Sequence, residues 1–143
     1  MADLKTLENI GWFIQFKPTI DCIFLREPRN QPISEELYKT QIINIEGTIT
    51  LKMTLDNDYT FLEEIKIPGT QTVETLFQHI YNFYQTGMKA KNIKKLFKHN
   101  KEILDEIIDE KGYIKNIDLL LADVCPPDFV GLDKKKIMYL LLH

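Results

Sequence analysis

The chain has 143 residues, of which 44% are hydrophobic and 27% are charged, and this balance is typical of one globular domain rather than of a disordered chain. The formal net charge of −3 excludes the overall basic excess that most nucleic-acid-binding domains carry. Cys22 and Cys125 are far apart and have no neighbouring cysteines, which argues against a disulfide framework. We therefore expect a single domain over residues 1–143.

The beginning of the chain has none of the marks of a secretory signal. Its first ten residues, MADLKTLENI, include acidic side chains and no continuous apolar run. The apolar runs at 119–122 and 138–142 are too short to cross a bilayer. These features predict a soluble, cytoplasmic protein without a membrane partner. Residues 1–10 have two interpretations, a short helix or a loose leader.

Two short strands, or one strand broken by a proline, are predicted between residues 12 and 25. Apolar residues alternate in the first part of this segment and run together in the second. The next segment, REPRNQP at 26–32, has two prolines and no periodicity, so we expect a loop. Ser34 then provides an N-cap for a short helix. Arg26 and Arg29 in the loop form one candidate anion site.

The clearest strand signal lies at 48–55, where Ile49, Leu51 and Met53 alternate with polar residues. The following Asp-Asn-Asp supplies turn chemistry. A returning strand is predicted at 59–67, ended by a Pro-Gly pair, so that the two strands form an antiparallel hairpin.

The strongest helix signal follows at 72–86, with Thr72 as N-cap. Its apolar face is wider than packing on one sheet requires. Either the helices predicted at 90–111 cover the aromatic residues of that face or another chain does, so these residues are a candidate interaction surface for a protein partner or for self-association. They are Phe77, Tyr81, Phe83 and Tyr84.

One or two helices are predicted from Ala90 to Lys111, with a break at His99-Asn100. Lysines crowd the segment Lys89–Lys101, and acidic residues follow them. The candidate basic patch consists of Lys91, Lys94, Lys95 and Lys98. A solvated helix face is one interpretation, and weak contact with nucleic acid is another. Gly112 is predicted to end the helix, and 137–142 reads as a final strand.

No catalytic or cofactor motif occurs in the chain. The glycine-rich phosphate loops, the nucleophile elbow and the paired-histidine zinc motif are all missing, and the three histidines lack metal-ligand spacing. The consecutive Glu63 and Glu64 lie in a predicted strand, so their side chains should point to opposite faces. We predict no catalytic, cofactor or metal residue. The alternative is a ligand or enzyme site of dispersed residues near Arg26–Arg29 or Cys125–Asp128.

Two segments resemble a family of uncharacterised small domains found in basidiomycete fungi and large DNA viruses. TVETLFQHIYNFY at 72–84 is similar to the helix motif of that family. IDLLLADVCPPDFVGLDKKKIMYLLLH, the C-terminal segment, is similar to its ending of an aspartate with leucines, a Phe-x-Gly-Leu motif and a last apolar strand. The resemblance covers the chain from about Phe24 onward and implies an α+β fold. It implies no activity.

The order of hairpin, threonine-capped helix and late strand also resembles the β-grasp topology of ubiquitin-like domains. We therefore predict an α+β domain in which an antiparallel sheet packs on the central helix at 72–86, with further C-terminal helices and a final strand. The leading functional hypothesis is a non-enzymatic interaction module. The forms considered are a viral accessory or virion-associated protein and a homodimer. Small-ligand binding and nucleic-acid contact are the alternatives.

Overall fold

The computed structural model describes residues 3–27, 31–56, 61–120, 128–132 and 134–141. The α-helices in these ranges are α1 (Leu4–Glu8), α2 (Glu35–Tyr38), α3 (Val73–Gln85) and α4 (Ala90–Lys111). The strands are β1 (Ile10–Gly11), β2 (Phe24–Leu25), β3 (Gln31–Pro32), β4 (Gln41–Thr54), β5 (Leu62–Thr72), β6 (Asp128–Gly131) and β7 (Ile137–Leu141). The predicted α+β class is confirmed.

Strands β1, β2 and β3 form a small antiparallel sheet, and the other four form a larger sheet in the order β5-β4-β7-β6. The β4–β5 hairpin is antiparallel, as predicted. The final strand β7 pairs in parallel with β4, and β6 pairs antiparallel with β7, so the larger sheet is mixed. A hairpin, a helix and a late strand beside the first hairpin strand are the order that the β-grasp resemblance implies.

The hairpin is longer than its alternating pattern indicates. Strand β4 continues backward to Gln41 through register shifts that interrupt the alternation, and Gly47 adopts a φ of +85° there. Strand β5 does not end at Pro68 but continues to Thr72. It lies at the edge of the sheet, where a proline breaks no hydrogen bond of the ladder. Gly69 belongs to the same strand, and a Cβ atom on it would lie 2.0 Å from the carbonyl oxygen of Ile45.

The segment before the large sheet contributes core rather than a long strand. Of the two interpretations of residues 1–10, the helix is observed, and Leu7 and Ile10 are buried. The predicted strand around residues 12–16 is absent from the described structure. Instead Trp12 is fully buried, and its Nε1 donates a hydrogen bond to the Phe16 carbonyl over 2.9 Å.

Helix α3 packs on the inner face of the mixed sheet and begins at the predicted N-cap. The Thr75 amide donates to Thr72 Oγ1 over 3.1 Å, and the Thr72 amide donates to Thr75 Oγ1 over 2.9 Å, so the two residues satisfy each other's backbone donors. Its buried residues share one broad face. They are Val73, Leu76, Phe77, Ile80, Phe83 and Tyr84.

Helix α4 follows α3 and has the break that the sequence predicts. Asn100 departs from helical geometry at φ −134° and ψ 29°, which makes a kink between two helical halves. Gly112 ends the helix at φ 77°, and its amide donates to the Ile108 carbonyl over 2.7 Å. Leu96 and Leu104 anchor α4 to the core, since both are fully buried.

Candidate interaction surface and adjoining cleft

The four aromatic residues predicted as an interaction surface lie mainly inside the chain. Phe77, Phe83 and Tyr84 are 1%, 8% and 0% exposed, and Tyr81 is half-buried against the same core. In the described chain these four rings therefore do not form one exposed surface.

Segments distant in sequence cover the rings. The Phe77 ring stacks between Trp12 at a centroid distance of 5.0 Å and Phe129 at 5.8 Å. Tyr84 donates its hydroxyl hydrogen bond to the Thr54 carbonyl over 3.0 Å. Because Trp12 precedes the large sheet and Phe129 belongs to β6, the local pattern of α3 could not show that either would meet it.

The two loops predicted as alternative sites meet through an ion pair. Arg26 Nη1 lies 2.7 Å from Asp128 Oδ1, and both side chains are 29% exposed. Arg29 and Cys125 lie outside the described residues. The pair connects the loop after β2 to the start of β6, so Arg26 has a structural role. The Asp128 carboxylate also compensates the charge of Arg26.

All four lysines of the predicted basic patch are exposed on α4, and Lys91 lies nearest the β5 edge, where it lines a shallow hollow with Glu63 and Glu64. Within the described part of the chain, none of them forms an ion pair. The patch therefore exists as a surface of α4. Which partner this surface can bind depends also on the acidic residues that lie beside it on α4.

The charges of α4 are antisymmetric about Asn100, the residue at the kink. An acidic residue stands at each position that mirrors a patch lysine, two, five, six and nine residues away on the other side. The mirrored pairs are Lys98 and Glu102, Lys95 and Asp105, Lys94 and Glu106, and Lys91 and Asp109. All eight side chains are exposed. On a helix of 3.6 residues per turn the four lysines fall within a sector of about 100° on their half of α4, and the four acids fall within a sector of about 100° on theirs. The kink at Asn100 sets the angle between the two sectors.

Apolar side chains on α4 follow the same mirror. The matched positions are Phe97 and Ile103, Leu96 and Leu104, and Ile93 and Ile107. Ile103 is 51% exposed and Ile108 is 37% exposed, so part of the apolar stripe reaches solvent beside the charged face.

This charge distribution does not stabilise α4 as an isolated helix. Its first turn has no acidic residue, and its acidic residues lie in the half nearer the C-terminus, which opposes the helix macrodipole. The cost is about 0.3–1 kcal/mol for each such charge in an end turn, which applies to Lys91, Asp109 and Glu110. Lys111 in the last turn is favourably placed. Like charges also stand four residues apart, as in Lys94 and Lys98 or Glu102 and Glu106, and each such contact costs about 0.2–0.5 kcal/mol.

A cleft of about 340 Å³ lies between the edge strand β5, the end of α3 and the start of α4. Its polar lining comes from all three elements and from the segment after α4. The residues concerned are Glu63, Glu64, His79, Asn82, Thr86, Lys89, Asn92 and Asn116. Ile65 and Phe83 supply apolar walls. A second cleft of about 420 Å³ on the other side of α3 shares His79 and Asn82.

The Glu63 carboxylate joins β5 to the first turn of α4. Its Oε2 accepts a hydrogen bond from Asn92 Nδ2 over 2.8 Å, and Lys89 Nζ lies 3.6 Å from Oε1. Burial raises the pKa of Glu63. The hydrogen bonds from Asn92 and the Glu64 amide and the nearby lysines outweigh burial, so the net pKa falls below its ordinary value of 4.5.

His79 lies between the two clefts on the solvent side of α3. Partial burial disfavours its charged form and lowers the pKa of its imidazole below the ordinary value of 6.5. The ring is therefore neutral near pH 7, with one nitrogen that donates and one that accepts a hydrogen bond.

Sequence reasoning missed this cleft because its residues come from four separate segments. The one usable signal was the pair Glu63 and Glu64: Glu63 is half-buried toward α4 and Glu64 is exposed, and both line this cleft. No sequence spacing predicts that the asparagines lie near His79, because their proximity depends on how α4 packs against the β5 edge of the sheet.

Among the described residues, no group of three or more His, Cys, Asp and Glu side chains is arranged to hold a metal ion. None of the described helices is long and apolar enough to cross a membrane. Comparisons with protein-family models, with curated proteins and with solved structures found no match for this chain.

Proposed function

We propose that this chain is a non-enzymatic protein-interaction module that binds a second copy of itself through the outward face of α4. The observation that carries the proposal is the charge antisymmetry of α4 about Asn100. A sequence of this kind is self-complementary only when two copies run antiparallel.

The pairing follows from two-fold symmetry. In such an interface, a contact between residue i of one copy and residue j of the other occurs twice. An axis beside Asn100 sets each patch lysine level with its mirrored acid on the other copy. These pairs are Lys91 with Asp109, Lys94 with Glu106, Lys95 with Asp105, and Lys98 with Glu102.

Antiparallel pairing also removes the costs that α4 carries alone. The lysine-rich half of one helix would face acidic residues of the other, so like-charge repulsion along each helix is offset. The acidic residues of the second copy would lie near the positive end of the first helix dipole. Exposed ion pairs contribute about 0.2–1 kcal/mol each, so association should depend on the network and on burial of Ile103 and Ile108.

The charge balance favours this occupant over nucleic acid. The outward face carries four patch lysines and four mirrored acids, so it has no net positive charge. A phosphate backbone would meet repulsion along the acidic half. The lysines also lack the arginines and interleaved aromatic residues that single-strand binding surfaces use.

The setting of the module follows from the resemblance to a family with members in large DNA viruses. A small self-associating domain suits a viral accessory or virion-associated protein of the cytoplasm.

Sedimentation velocity over a range of protein concentrations tests the association. We expect wild-type protein to form dimers at low salt, about 20 mM, and to dissociate at about 500 mM, where charges are screened over a few ångströms. A variant with Lys91, Lys94, Lys95 and Lys98 all changed to Glu, the all-acidic variant, should be monomeric at both salt concentrations.

A matched control changes four exposed lysines elsewhere, Lys5, Lys17, Lys66 and Lys134, to Glu. It has the same net charge as the all-acidic variant and should dimerise like the wild type. A wild-type protein that stays monomeric at every concentration at low salt would overturn the proposal. Equal loss of dimer in both variants would also contradict it, because general charge repulsion would then explain the result.

A further inference from the structure

The cleft between β5, the end of α3 and the start of α4 is separate from the outward face of α4. Its residues lie on the inward side of the helix, where Asn92 is 6% exposed and bonded to Glu63. The cleft volume of about 340 Å³ lies within the range of small-molecule sites, about 300–1,000 Å³.

Each of three asparagine side chains in the cleft uses one end of its amide in a hydrogen bond with the protein. Asn92 Nδ2 donates to Glu63 Oε2 over 2.8 Å, and Asn116 Nδ2 donates to the Phe83 carbonyl over 2.8 Å. Asn82 Oδ1 accepts from Gln78 Nε2 over 2.8 Å. The other end of each amide has no hydrogen-bond partner in the described chain. Two acceptors, Asn92 Oδ1 and Asn116 Oδ1, and both N–H groups of Asn82 Nδ2 therefore remain for a ligand.

The neutral imidazole of His79 adds a donor and an acceptor to this set. It too has no hydrogen-bond partner among the described residues. Two carboxylates line the cleft: Glu63, which is compensated by Lys89 and by the amide of Asn92, and Glu64, which is exposed. A charged ligand would have to compete with the internal pairs of Glu63, and an anion would also meet the Glu64 carboxylate, whereas an uncharged ligand would leave these groups as they are.

We infer that this cleft binds an uncharged ring compound that carries hydrogen-bond donors and acceptors at its rim, the class that includes nucleobases and cyclic amides. The ring would lie between the apolar side chains of Ile65 and Phe83. The free ends of the Asn82, Asn92 and Asn116 amides would bond its polar edge. Apolar walls with a few fixed polar groups are the usual composition of such sites.

The test is a titration of ¹⁵N-labelled full-length protein, followed by NMR of backbone and side-chain amide groups. The probes are the four common ribonucleosides, nicotinamide, and the 5′-monophosphates of the same nucleosides. At least one uncharged probe should shift the side-chain amide signals of Asn82, Asn92 and Asn116 and should saturate. Its monophosphate should bind no more tightly.

Asn82→Ala removes the free donor at an exposed position on α3, so the fold should be retained. It should weaken binding about 3- to 10-fold, as expected for one hydrogen bond between neutral groups. Asn44→Ala, which changes an exposed asparagine on β4, should leave binding unchanged. Absence of saturable shifts with every uncharged probe would overturn the inference. Binding of the monophosphates alone, or shifts confined to the cleft around Lys17 and Pro18, would do the same.

Discussion

Helices α3 and α4 are neighbours in sequence but use their side chains in opposite ways. Six of the 13 residues of α3 are buried, including three of its aromatic rings. Among the described side chains of α4, a helix of 22 residues, only Asn92, Leu96 and Leu104 are buried. The aromatic helix is therefore scaffold, and the charged helix is the surface that this chain presents.

The difference shows which sequence feature indicates an interface here. A broad apolar stripe suggested a partner for α3, yet distant parts of the same chain fill that role through Trp12 and Phe129. The charges of α4 suggested a solvated face or weak contact with nucleic acid, yet their mirrored order opposes what stabilises an isolated helix. An arrangement that costs stability in the monomer is a better indication of a partner than an excess of apolar residues.

The largest expected effect comes from removing the ring at the centre of α3. Phe77→Ala should lower the free energy of unfolding by about 3–5 kcal/mol, because it deletes a buried ring stacked on both faces. Lys94→Ala on α4 should change it by no more than about 0.5 kcal/mol. Urea unfolding of the two variants measures both values. A loss below about 1 kcal/mol for Phe77→Ala would contradict the assignment of α3 as core.

A smaller effect is expected at the end of α3. Tyr84→Phe removes the hydroxyl that donates to the Thr54 carbonyl and should cost about 0.5–1.5 kcal/mol. Tyr113, which is 52% exposed just after α4, provides the matched control, and Tyr113→Phe should have almost no effect. Thermal unfolding under identical conditions compares the two. Equal effects would mean that the buried hydroxyl does not stabilise the attachment of α3 to β4.

The smallest expected effect is on the pH dependence of the free energy of unfolding. The pKa of His79 is lowered in the folded state, so the unfolded chain binds more protons as the pH falls through 6.5. Stability should therefore decrease on acidification from about pH 7, and His79→Gln should remove that part of the slope. The pKa of Glu63 is also lowered, which predicts a second loss below pH 4.5 that His79→Gln leaves in place. Urea midpoints across pH provide the measurement, and an imidazole titration at or above 6.5 would refute the first part.

Local patterns predicted the elements that local physics determines. The Ser34 and Thr72 caps, the alternation of the hairpin and the break before Asn100 all depend on neighbouring residues, and each is observed. The sequence did not reveal the continuation of β5 past Pro68, because only the position of β5 at the sheet edge makes that proline tolerable.

The burial of the α3 rings and the formation of the cleft depend on contacts between residues that are far apart in sequence. The burial of Phe77 requires Trp12 and Phe129 to reach α3 from opposite ends of the chain. The cleft requires α4 to return to the edge of β5, where Asn92 meets Glu63. The mirrored charges of α4 were present in the sequence throughout. The structure adds the kink at Asn100 and the exposure of all eight side chains, and the self-association proposal is built on these two observations.

The most direct test of the self-association proposal mixes two variants of α4. The all-acidic variant is combined with an all-basic variant, in which Glu102, Asp105, Glu106 and Asp109 are changed to Lys. Each variant alone should be monomeric by sedimentation velocity at low salt, with a circular dichroism spectrum like that of the wild type. An equimolar mixture should form a heterodimer that salt dissociates, because one helix face is then wholly acidic and the other wholly basic. Two folded variants that remain monomeric when mixed would contradict pairing through α4.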